Sequence, residues 1–98
     1  MSISISIENR SHSTVRAIQS GELAHLGEFV MRLPSTYLMR GIDPWDDTVF
    51  NLTQMKIIRE EIVLLKSREP DSILMLDVIG DAISEAIGIG GYIRFEGD

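Results

Sequence analysis

The chain has no cysteine among its 98 residues. A disulfide framework, a thiol nucleophile and a zinc–thiolate centre are therefore excluded together. Aromatic residues are scarce, with one Trp, two Tyr and three Phe, so Ile, Leu, Val and Met must build the core. No apolar run approaches the roughly 18 residues that a membrane-spanning helix needs. The opening stretch MSISISIENR has neither the basic start nor the long apolar segment of a secretory signal. These absences make a cytoplasmic protein the expectation. The Asn-x-Ser/Thr matches at Asn9 and Asn51 then read as accidents.

Basic residues are also in short supply, nine against fifteen acidic, for a net charge of −6. The imbalance is local. Through Arg40 the chain carries four basic and three acidic residues, whereas from Gly41 onward it carries five and twelve, a balance of −7. Such a surface repels phosphate backbones, so neither nucleic acid nor a membrane is the expected partner. It provides solubility, and it could steer a basic protein toward the chain. An apolar content of 44% with 24% charged residues is an ordinary globular mix, and the length suits one domain, residues 1–98.

Ser2 to Ile7 alternates strictly, with Ile3, Ile5 and Ile7 on one face and serines on the other, the pattern of a half-buried strand. Glu8 to Ser11 supplies turn residues, and His12 to Ile18 could return as a second strand. Ser20 is placed to cap a helix over residues 21–33, with Leu23, Leu26, Phe29, Val30 and Leu33 along its apolar stripe. Pro34 ends that helix. The connection from Ser35 to Phe50 is too apolar for a free linker and is expected to pack down or to work.

Asn51 and Gln54 have the spacing of a capping box, opening a helix whose stripe is Met55, Ile58, Ile62 and Leu65, with Glu60 and Glu61 on the opposite side. A third helix begins near Pro70, with Asp71 or Ser72 as cap and Leu76, Ile79, Ile83, Ala86 and Ile87 inward. Gly80 lies on the same face, and close approach of another element would explain it. Gly88, Gly90 and Gly91 end the helix before a closing strand at Tyr92 to Phe95. The expected fold is α+β: a small antiparallel sheet, formed by an N-terminal strand or hairpin and the C-terminal strand, packed against about three helices.

The densest cluster of chemistry is GIDPWDDTVFNLTQ, Gly41 to Gln54. Asp43, Asp46 and Asp47 lack the alternate spacing, glycine and distant Glu of a calcium loop, so no metal is expected. Asp43 before Pro44 suits a turn. Asp47 and Thr48 suit the approach to the helix, Val49 and Phe50 its anchors, and Asn51 with Gln54 its cap. Trp45 either lids the core or anchors a partner, and Asp46 beside it is unexplained by local structure. On the third helix Asp77, Asp81 and Glu85 recur every four residues, either as a solvated stripe or as an acidic ridge for docking. The candidate partner-binding residues are thus Trp45, Asp46, Asp77, Asp81 and Glu85.

Catalysis finds little to use. His12 and His25 are distant in sequence and read as surface residues, and no nucleophile–base pair is evident. Gly88-Ile89-Gly90-Gly91 follows a helix and precedes a strand, the reverse of a phosphate-cradling loop. No cofactor is implied.

The segment Ile42-Asp43-Pro44-Trp45, followed by Asp47-Thr48-Val49-Phe50-Asn51 and Gln54, resembles a group of small bacterial proteins. They carry an Asp-Pro-aromatic stretch running into Asp-Thr-Val-Phe-Asn before a helix. The closing Phe95-Glu96-Gly97-Asp98 resembles their ending, while the N-terminal third departs from them. The resemblance implies a bacterial cytosolic protein. Taken together, the expectation is a non-catalytic, acidic protein-binding domain, for instance an immunity-type inhibitor of a basic protein. Two alternatives stand beside it: a small enzyme or ligand carrier with a pocket under the 35–50 loop, and a module that self-associates as a homodimer through the edge of its Ile-rich strand.

Overall fold

The computed structural model describes residues 2–98. Four antiparallel strands, β1 (Ile3–Glu8), β2 (Thr14–Ile18), β3 (Asp47–Phe50) and β4 (Tyr92–Gly97), form one sheet in the order β2-β1-β4-β3. Three helices, α1 (Leu26–Met31), α2 (Leu52–Arg68) and α3 (Ile73–Gly88), accompany the sheet. The alternation of β1 sets the arrangement: Ile3, Ile5 and Ile7 are buried together with Ile93 and Phe95 of the neighbouring β4. Against them pack the stripes of α2 (Met55, Ile58, Ile62, Leu65) and α3 (Leu76, Ile79, Ile83, Ala86). Met75 and Ala82 join the buried face of α3. No helix among the described residues is long and apolar enough to cross a membrane.

Three expectations need correction. First, the Ile-rich strand has no free edge. β1 is hydrogen-bonded to β2 on one side and to β4 on the other, so it cannot pair with a copy of itself; the edges of the sheet are β2 and β3. Second, residues 21–33 do not form one helix. Ser20 accepts a hydrogen bond from the Glu22 amide and opens only a short 3-10 turn at Gly21–Leu23, after which α1 spans six residues. Glycines at 21 and 27 lower helix propensity, and packing of Leu23, Leu26, Phe29 and Val30 decides the path. Third, the 35–50 connection contains a strand, β3, and a 3-10 turn at Leu38–Gly41.

The start of α2 has the capping box expected of its sequence. Asn51 Oδ1 accepts from the Gln54 amide and Gln54 Oε1 from the Asn51 amide, each at 2.9 Å. At α3 neither Asp71 nor Ser72 supplies a side-chain cap; a 3-10 turn at Pro70–Ser72 leads in instead.

Gly80 faces α2, but a Cβ there would lie 3.9 Å from Ile62 Cγ2, an ordinary contact. The approach of α2 is thus no reason for a glycine. Gly80→Ala is expected to stabilise the fold by about 0.5–1 kcal/mol through helix propensity and the unfolded chain's entropy. A denaturant titration would register this as a higher midpoint with unchanged slope.

Candidate functional site

The loop between the Leu38–Gly41 turn and β3 is fixed from three directions. From within, Asp43 Oδ1 accepts from the Trp45 amide at 2.8 Å, closing a turn, while the Asp43 amide donates to Thr48 Oγ1 at 2.9 Å. Asp46 Oδ1 accepts from the Asp47 amide at 2.8 Å. From β4, the Gly97 amide donates to the Asp46 carbonyl at 3.1 Å. From α2, Glu61 grips the turn upstream, its carboxylate accepting from the amides of Leu38 at 2.6 Å and Met39 at 3.0 Å. Glu61 was expected on the solvated side of its helix; it instead neutralises the amides that open a 3-10 turn. Met39, Ile42 and Pro44 are buried beneath, so the loop rests on packed side chains.

Trp45 is 65% exposed on this fixed loop, and Met31 at the end of α1 is 52% exposed. The lid role is therefore excluded. The two side chains line a shallow groove of about 320 Å³ together with Arg40, Gly41, Ile42, Asp43 and Pro44. Leaving large apolar side chains in water forgoes roughly 1.5–3 kcal/mol each relative to burial. A paired Trp and Met is also the composition of adaptable contact surfaces.

The remaining candidates separate. Asp46 lies beside Trp45 in the chain and is exposed. On α3, Asp77 is ion-paired with Lys66 of α2, and Glu85 with Arg16 of β2 at 2.9 Å. Asp81 is exposed. These half-exposed pairs contribute little to stability, but they reduce the ridge's net charge. Arg16 stands on one edge strand of the sheet and Trp45 leads into the other. The Glu85 end of the ridge therefore lies toward the β2 edge, across the sheet from the edge that Trp45 leads into.

A second cluster holds β3 to the sheet from the face opposite the helices. Ser6, expected on the polar face of the strand, and Glu8, expected in the turn but part of β1, are 4% and 3% exposed, because neighbouring side chains cover them. Ser6 donates to Glu96. Glu8 Oε2 accepts from Arg94 Nε at 2.6 Å, and Arg94 reaches on to Asp47 at 3.2 Å, tying the start of β3 to β4 and β1. Glu8 Oε1 lies 3.0 Å from His12 Nδ1, which must donate to an ionised carboxylate. His12 adopts φ of 62° and stacks on Tyr92 with ring centroids 4.1 Å apart. These contacts, with the His12 amide donating to the Asn9 carbonyl at 2.9 Å, hold a backbone conformation that is uncommon for a non-glycine residue.

Burial pushes the Glu8 carboxyl up, but hydrogen bonds and charge from Arg94 and His12 outweigh it and hold the group below its ordinary value of 4.5. A carboxylate with a depressed folded-state pKa contributes stability that is complete above its unfolded value and lost as pH falls through the folded one. Glu8→Gln is thus expected to cost about 2 kcal/mol near neutrality, from hydrogen bonds to charged groups. The gap to wild type should narrow as pH falls below 4.5, which denaturant titrations at a series of pH values would measure.

Among the described residues, no three His, Asp or Glu side chains gather as a metal-binding set. Sequence reasoning missed Met31, Glu61, Arg94 and Gly97. Met31 alone left a signal, an apolar residue off the stripe of its own helix. No protein-family model, curated protein or solved structure matches the chain.

Proposed function

We propose that the chain is a non-catalytic domain that binds a basic protein, with Trp45 and Met31 as the apolar anchor and Asp46 beside them. The observation that carries this reading is a Trp held 65% exposed on a loop fixed by β4, α2 and its own turn. Pre-organised aromatic anchors lose little entropy on binding. The net charge of −6 plays a different part: it steers a basic partner over long range and raises the association rate. Asp77, Asp81 and Glu85 belong to that field rather than to the anchor. An immunity-type inhibitor that masks a cationic toxin or nuclease in a bacterial cytoplasm fits both properties.

The test uses a partner co-purified with the tagged chain and then purified itself. Trp45→Ala is expected to weaken binding about 30-fold, mainly through faster dissociation, as hot-spot truncations do. Reversing Asp77 and Asp81 together to Lys should slow association and flatten its salt dependence while leaving dissociation nearly unchanged. Unaltered binding in both variants would remove this surface from consideration.

A further inference from the structure

We infer that the partner docks through an extended segment that adds a strand to the free edge of β3, next to the Trp45 groove. This rests on the binding role proposed for Trp45 and specifies the shape of what binds there. The Gly97 amide donates to the Asp46 carbonyl at 3.1 Å, and Asp46 opposes Gly97 when the β3–β4 register is continued by one residue. Hydrogen-bonded and non-hydrogen-bonded pairs alternate along an antiparallel ladder. The pairs Thr48–Phe95 and Phe50–Ile93 therefore exchange bonds, whereas Asp47 and Val49 direct their amides and carbonyls away from β4.

The Asp47 amide is taken by Asp46 Oδ1 at 2.8 Å. That leaves the Val49 amide, the Val49 carbonyl and the Asp47 carbonyl on the outer edge, a three-group template for an incoming strand. The other edge is blunted. β2 pairs with β1 through a register shift between Ile7 and Glu8, and it carries Arg16, both devices that discourage strand addition. The β3–β4 register runs without such a shift, and Trp45 stands two residues before its first residue. An extended segment with an apolar side chain for the Trp45–Met31 groove fits this edge, because backbone bonds would give affinity and the groove selectivity.

The probe is a set of linear peptides selected from a displayed random library against the immobilised chain. Replacing Val49 by its α-hydroxy acid turns the amide into an ester and deletes the outward donor; Val49→Pro does the same with a natural residue, at a position where an edge strand accepts proline. Binding should slow exchange of the Val49 amide about tenfold and shift the Trp45 indole resonance. The ester should weaken binding about fivefold to tenfold, the value of one hydrogen bond, with circular dichroism unchanged. A shifted indole with unaltered Val49 exchange, and an ester that binds like wild type, would overturn strand addition while leaving the Trp45 surface standing. Protection of Thr14–Ile18 amides instead would also overturn it. Binders that move neither Val49 nor Trp45 would overturn both.

Discussion

Gly91→Ala is expected to be the most damaging single methyl in this chain. A Cβ at that position would lie 1.9 Å from the Glu8 carbonyl oxygen and 3.0 Å from its carbon. Both atoms are backbone, so no side chain can swing aside. Gly91 precedes β4 where that strand begins pairing with the end of β1, at Glu8 and Tyr92. Relief of the clash would separate the two central strands there, loosening the buried Glu8, its bonds to Arg94 and His12, and the His12–Tyr92 stack. Overpacking of a tight site costs about 3 kcal/mol at the upper end of its usual range, which for a domain of this size lowers Tm by about 12–24 °C. Gly88→Ala is the control: a Cβ there meets nothing within 4 Å, and thermal unfolding of that variant should match wild type within a few degrees.

Gly97→Ala joins the fold to the candidate site. Its Cβ would lie 2.5 Å from the carbonyl carbon and oxygen of Pro44 and 2.7 Å from the Asp43 carbonyl oxygen. The Asp43-Pro44 turn must then move away from β4, stretching the bond from the Gly97 amide to the Asp46 carbonyl. We expect a loss of about 2 kcal/mol. A second effect, which Gly91→Ala should lack in its folded fraction, is a displaced Trp45. Trp45 is the only Trp, so its emission reports on this loop alone. The variant should change the emission of the free chain and weaken partner binding about tenfold through lost pre-organisation. Trp45→Ala should do the reverse, keeping stability within about 0.5 kcal/mol of wild type because the side chain is exposed, while binding falls. Comparing denaturation midpoints with affinities across the two variants separates support of the loop from contact with the partner.

Much of this architecture was legible in the sequence, for identifiable reasons. Ile3, Ile5 and Ile7 alternate without a break, and the stripes of α2 and α3 run from Met55 to Leu65 and from Met75 to Ala86, long enough for period to outweigh composition. β3 was hidden because its pattern misleads. Thr48 and Phe50 share the inward face while Asp47 and Val49 share the outward one, so each face mixes polar and apolar residues, and strong turn and cap signals flank it. Residues 21–33 misled in another way. Their apolar spacing is helical, and all five stripe residues are buried, yet the backbone satisfies that pattern with a 3-10 turn and six residues of helix.

At the candidate site, residue type marked Trp45, but its exposure follows from a loop held by the Gly97–Asp46 bond and by the packing of Ile42 and Pro44 below, which no local pattern encodes. The same holds for Glu8. Its sequence neighbours suggest a turn, and only the register of β1 against β4 places Arg94 over it. The acidic repeat on α3 was visible, whereas its neutralising partners Lys66 and Arg16 were not, since Arg16 lies 69 residues from Glu85.

Entry of Trp45 into the partner interface can be read directly. A chain labelled with fluorotryptophan carries a single fluorine resonance, from residue 45, because there is one Trp. Free, that resonance should respond strongly to a soluble paramagnetic agent, as its 65% exposure requires. With saturating purified partner, the line should shift and lose most of that response. A line that neither moves nor loses its response in the saturated complex would place Trp45 outside the interface.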